Sequence, residues 1–129
     1  MGKIGCNCGN IIVDQSNNLS YKGAIIPDIS QDDIFDMLNE LTSTLAEAIS
    51  NNQKEEWMKA HGLTSPYPAD VTESSLINNL FFNYYFNKVK DIFQCENCGR
   101  ILIQKAKSSH YIFFKPESED WKDILNKID

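Results

Sequence analysis

Histidine is scarce in this chain, with only His61 and His110 among 129 residues. Neither has a sequence-local partner arranged for catalysis. Glycine-rich phosphate loops, H-E-x-x-H and G-x-S-x-G are absent, which removes the common nucleotide-binding, zinc-protease and hydrolase signatures. The chain is therefore expected not to be an enzyme. Long apolar runs are missing as well, since nothing approaches the roughly 18 consecutive apolar residues that cross a bilayer. The aromatic segment Leu80 to Phe86 is interrupted by Asn83, and Met1 to Cys6 is followed by polar residues where a secretory signal has its apolar stretch. A cytoplasmic location is the expectation. Positive charge is the third shortage: 12 basic residues face 18 acidic ones, a formal charge of −6. That balance repels nucleic-acid backbone and anionic lipid and favours a basic protein partner.

Against these shortages stand four cysteines in two close pairs. The first reads Cys6-Asn7-Cys8-Gly9-Asn10, followed by Ile11, Ile12 and Val13. The second reads Cys95-Glu96-Asn97-Cys98-Gly99-Arg100, followed by Ile101, Leu102 and Ile103. In a reducing compartment, clustered thiols are more often metal ligands than disulfides. Each pair is closed by glycine, which takes the positive φ of a metal knuckle without a Cβ clash. Each then runs into an apolar triplet with the composition of a strand. Ile92 and Phe93 before the second knuckle complete a strand, knuckle, strand unit. Four thiolates form a closed tetrahedral set with no vacancy for water, so Cys6, Cys8, Cys95 and Cys98 are expected to bind one structural Zn2+ ion. Iron in a rubredoxin-like site is the alternative, and the C-x-C spacing of the first pair counts against it.

The 86 residues between Cys8 and Cys95 are too long for one ribbon loop and read as an insertion. Ser30 and Asp33 suggest a capping box. Ile34, Leu38, Leu41, Leu45 and Ile49 then recur at helical steps as one apolar stripe. Asn52 to His61 continues that helix or forms a second one, with Gly62 as the stop. Leu63 to Val71, with Pro66 and Pro68, predicts a loop. Another helix is expected from Asp70 or Thr72, carrying Leu76, Ile77, Leu80, Phe81 and Tyr84. Period alone leaves helix and strand open between residues 82 and 93. Tyr111 to Phe114 predicts a strand, and Glu117 to Ile128 a terminal helix capped by Ser118. The expected class is α+β in one domain, 1–129. Split zinc-ribbon hairpins come from 1–28 and 92–129, with a helical insertion over 29–91.

Charge is concentrated in that insertion. From Asp28 to Glu73 there are ten acids against two lysines. At about 100° per residue, Asp33, Asp36, Glu40 and Glu47 share a face away from the apolar stripe, about 20 Å long. A run of this kind is often only a solvated face, but complementary charge also speeds encounter and sets specificity. These four acids are the candidate partner-binding residues.

Cys6, Cys8, Gly9, Cys95, Cys98 and Gly99 resemble the zinc-ribbon superfamily at the two ends of the chain. The fuller layout resembles small bacterial zinc-ribbon proteins: C-x-C-G near the start, Leu19 to Lys22, Pro27-Asp28, the second knuckle with Arg100, and Phe114 to Glu117. Small acidic bacterial proteins of this build include immunity proteins of contact-dependent growth inhibition, which neutralise a toxin domain delivered by neighbouring cells. The resemblance implies such a role, with a basic toxin domain as partner and the acidic helix as a decoy for phosphate. The alternative is a zinc-ribbon module that contacts nucleic acid or the transcription and translation machinery. Lys88, Lys90, Arg100, Lys105 and Lys107 around the second knuckle would serve it.

Overall fold

A computed structural model describes residues 2–63, 70–106 and 108–128. The protein is α+β, with strands contributed by both ends of the chain and helices between them. It divides into two compact units: Met1–Ile26 with Val89–Asp129, and Pro27–Lys88. No helix among the described residues is long and apolar enough to cross a membrane.

The first unit holds two antiparallel sheets. Strand β1 (Gly2–Gly5) pairs with β2 (Ile11–Asp14), Gly5 opposite Ile11, so the first cysteine pair sits in the connecting turn. The second sheet has the order β3-β4-β5-β6, from Lys22–Ile25, Lys90–Gln94, Ile101–Gln104 and Tyr111–Phe114. Gln94 pairs with Ile101, which places the second cysteine pair in the β4–β5 turn. The core of this unit consists of Cys6, Ile12, Phe93, Cys95 and Leu102, with Ile4, Tyr21, Tyr111 and Phe113 packed against them. Alternation along β4 and β5 supplies Phe93 and Leu102, which face each other across the ladder and have no exposed surface. Neither β1 nor β3 stands out in the sequence, because each is only four residues long and carries glycine.

The second unit is helical. Helix α1 spans Asp28–Ser50, α2 spans Lys54–Ala60 and α3 spans Glu73–Phe86. Leu41, Leu45, Ala48, Trp57, Met58, Leu63 and Leu76 form its buried core, and Met37, Ile77, Leu80 and Phe81 pack around it. The Thr72 hydroxyl caps α3 by accepting from the Ser75 amide, and Gly62 (φ +77) ends the turn after α2. The helix–strand ambiguity over 82–93 resolves as α3 to Phe86 followed by β4 from Lys90. The loop expected from Leu63 falls mostly on residues 64–69, outside the described residues.

Three expectations are corrected. Helix α1 begins two residues before Ser30, directly after Pro27, and has no side-chain cap. The proline ring fixes φ at the helix entrance, and its carbonyl accepts from the Ser30 amide at 2.8 Å. At the other end of α1 the core takes Ala48, while Ile49 is 42% exposed. The third correction concerns 117–128, which form turns and no helix. Asp123 has φ +61, a left-handed residue that interrupts any helix there. The Trp121 carbonyl, which a helix would use internally, accepts from Gln94 Nε2 at 2.6 Å. The Ser118 hydroxyl accepts from the Asp120 amide, but it closes only a local turn.

Candidate metal centre

The two turns that carry the cysteines are built by the same backbone bonds. In the first, Cys6 N–H donates to Asn10 C=O at 2.8 Å and Gly9 N–H to Cys6 C=O at 2.9 Å. In the second, Cys95 N–H donates to Arg100 C=O and Gly99 N–H to Cys95 C=O, both at 2.9 Å. Gly9 and Gly99 have φ of +97 and +79, the left-handed conformation that closes each turn at low cost only for glycine. Both turns thereby present their sulfurs to the same point.

There the four sulfurs of Cys6, Cys8, Cys95 and Cys98 lie within 4.8 Å of one another. Two contacts cross between the knuckles, Cys6 to Cys98 and Cys8 to Cys95, each 3.6 Å between Sγ atoms. A tetrahedral ion with metal–sulfur bonds of about 2.3 Å needs sulfurs about 3.8 Å apart. The observed spacing brackets that value, and the donor set is all soft thiol. The four expected ligands therefore come together as one site that can hold a metal ion. If all four sulfurs bound one ion, no coordination position would be left for a substrate.

Polar groups around the sulfurs complete the site. Asn97 Nδ2 donates to Cys8 Sγ at 3.4 Å, Asn10 Nδ2 to Cys95 Sγ at 3.5 Å, and Arg100 Nη1 to Cys98 Sγ at 3.2 Å. Burial pushes the Cys6 thiol up to about 12. The Asn97 amide, then the Asn10 backbone amide, hold Cys8 down to about 6. Burial also raises Cys98, but the Arg100 backbone amide and guanidinium outweigh it and leave the thiol below its ordinary value. Coordination would deprotonate all four outright, and the three donors would then stabilise the thiolates. Asn10 and Asn97 were legible as polar residues beside the cysteines. Trp121 was not legible: its indole covers Gly99 so closely that a Cβ there would lie 2.4 Å from Cδ2.

A family model described as a domain of unknown function, DUF8617, matches residues 2–118. The chain belongs to the DUF8617 family. No curated protein and no solved structure matches it. The family match in this DUF8617 protein takes in both cysteine pairs and ends before Trp121.

The remaining candidate residues lie in the helical unit. Asp33, Asp36, Glu40 and Glu47 are all exposed on α1, and the side that packs into the core carries Leu41, Leu45 and Ala48. None of the four forms an ion pair among the described residues. Of the basic residues near the second knuckle, Arg100 is engaged with Cys98 and Lys88 lies over the Tyr84 ring, 5.2 Å from its centroid. Lys107 lies outside the described residues.

Proposed function

We propose that this DUF8617 protein is a non-enzymatic, zinc-stabilised binding protein of the immunity type, which captures and neutralises a basic bacterial toxin domain. Zinc is the ion in this reading, because four thiolates at tetrahedral spacing are its common structural ligand set. The observation that carries the reading is a separation of tasks. The cysteine cluster is closed by protein ligands and shares its surroundings with a hydrophobic core, which suits a structural ion. Exposed carboxylates without ion-pair partners among the described residues line α1 in the other unit, which suits recognition of a cationic surface.

The test is association of the full zinc-loaded chain with a cationic toxin domain encoded beside it, followed against ionic strength. Asp36→Lys with Glu40→Lys should slow association about tenfold at low salt and flatten its salt dependence. Unchanged kinetics would remove the acidic face from the reading. A gel shift at physiological salt should show no nucleic-acid binding. A clear shift would favour the alternative, a zinc-ribbon module of the transcription or translation machinery working through Lys90, Arg100 and Lys105.

A further inference from the structure

The two knuckles are covered to different degrees. In the second, Cys95 has no exposed surface and Gly99 lies beneath the Trp121 ring. In the first, Cys6 is buried but Cys8 is exposed, and so are its neighbours Asn7 and Gly9. A Cβ placed on Gly9 would meet nothing within 4 Å, so no segment among the described residues shields this turn as Trp121 shields the other. One sulfur of the cluster thus faces solvent, while Cys95, 3.6 Å away from it across the site, does not.

Burial protects the ligands of a purely structural ion, whereas an exposed thiolate is both the form and the place that oxidants attack. The cluster also holds a second thiol in reach of the exposed one, as a reversible oxidation requires. We propose that Cys8 and Cys95 form a peroxide-sensitive switch, in which oxidation converts the pair to a disulfide and releases the metal ion. The inference rests on the reading that the cluster holds zinc, and it does not depend on the partner being a toxin.

The oxidant is hydrogen peroxide. The Cys8 thiolate attacks one peroxide oxygen, an S–O bond forms, the O–O bond breaks, and hydroxide leaves and takes a proton as water. The Cys95 thiolate then attacks the Cys8 sulfur, the S–S bond forms, the S–O bond breaks, and a second hydroxide leaves and takes a proton as water. The two sulfurs lose two electrons in all, and one peroxide is reduced to two waters. Closing the pair shortens a contact of 3.6 Å to the about 2.0 Å of a disulfide. Amide donors already stand at both reacting atoms, Asn97 Nδ2 at Cys8 Sγ and Asn10 Nδ2 at Cys95 Sγ. The other cross-knuckle contact is less accessible, because Cys6 is buried and Cys98 is half-buried and held by Arg100. Once the Cys8–Cys95 bond forms, two thiolates remain where a structural zinc needs four ligands, so the ion leaves.

The test adds one equivalent of hydrogen peroxide to the full zinc-loaded chain. Released zinc is followed with a metallochromic indicator, and linkages are read by non-reducing peptide mapping and mass spectrometry. Loss of the bound zinc is expected, with a single linkage joining the Cys8 and Cys95 peptides. A thiol reductant with added zinc should restore both the metal and the free thiols. A predominant Cys95–Cys98, Cys6–Cys8 or Cys6–Cys98 linkage, or sulfinic acid at Cys8 without a disulfide, would overturn the assigned pair. Zinc retained in excess peroxide would overturn the switch. A chain that carries no zinc before peroxide is added would refute the zinc reading instead, and the linkage map would still decide the thiol pair.

Discussion

If the cysteine cluster holds a metal ion, removing it should take apart one unit of the protein and spare the other. Among the described residues, two of the five buried residues in the strand unit's core belong to the cysteine cluster, Cys6 and Cys95, packed with Ile12, Phe93 and Leu102. Without an ion, four thiols at 3.6–4.8 Å lose their common partner, and the β1–β2 and β4–β5 turns lose the link that joins them. Structural zinc in small peptides binds with about 10–16 kcal/mol, whereas a whole domain is stable by about 5–15 kcal/mol. A zinc ion held there would therefore contribute on the scale of a whole domain's net stability. Among the described residues, the helical unit has its own core of seven buried residues, with no cysteine among them. The two tryptophans report separately, Trp121 against Gly99 and Trp57 against Thr44. With a chelator, or in Cys98→Ser, single-tryptophan variants should show Trp121 emission shifting to that of a solvated indole, while Trp57 keeps its native spectrum. A Trp121 signal unchanged by complete metal removal would refute the argument that the ion holds this unit together.

Gly99→Ala should be far more damaging than Gly2→Ala. The first places a methyl group 2.4 Å from the Trp121 ring at φ +79, whereas Gly2 has open space around it. Overpacking with left-handed strain costs about 2–4 kcal/mol, readable as a lowered denaturant midpoint and weaker metal retention. Leu76→Ala should destabilise the helical unit by about 2–5 kcal/mol, because Leu76 has no exposed surface. Metal affinity should hold, as measured by competition with a chromogenic chelator. Tyr111 supplies a pH test: burial, then the charges of Asp91 and Asp14, hold its phenol above the ordinary value. The unfolded chain therefore ionises first, and this contribution, full below about pH 10, is lost as pH rises through the folded-state value. Tyr111→Phe should flatten alkaline unfolding of the strand unit, and an unaltered alkaline limb would contradict the assignment.

The division of the chain into strand ends and a helical middle was readable from residues alone, and so were the four cysteines that form the cluster. Both signals are local: two cysteines with a following glycine make a knuckle wherever they occur, and a 3.6-residue apolar stripe makes a helix wherever it can be buried. The start of α3, expected at Asp70 or Thr72, and Gly62 as a stop belong to the same class, since each acts on its own turn. The acidic face of α1 is likewise a matter of period and composition.

Apart from the meeting of the two cysteine knuckles, contacts between distant segments were not readable. The helix expected over 117–128 has apolar periodicity, but Gln94 takes the Trp121 carbonyl and Asp123 turns left-handed, so a long-range contact overrides local preference. Strand β3 exists because β4 offers it an edge, pairing Lys22 with Phe93 and Ile25 with Lys90. Its four residues carry no signal of their own. By itself, the sequence determined which residues could bind a metal and which helix would be acidic. Tertiary structure decided that a tryptophan covers the second knuckle, because Trp121 reaches Gly99 only when folding brings the two segments together.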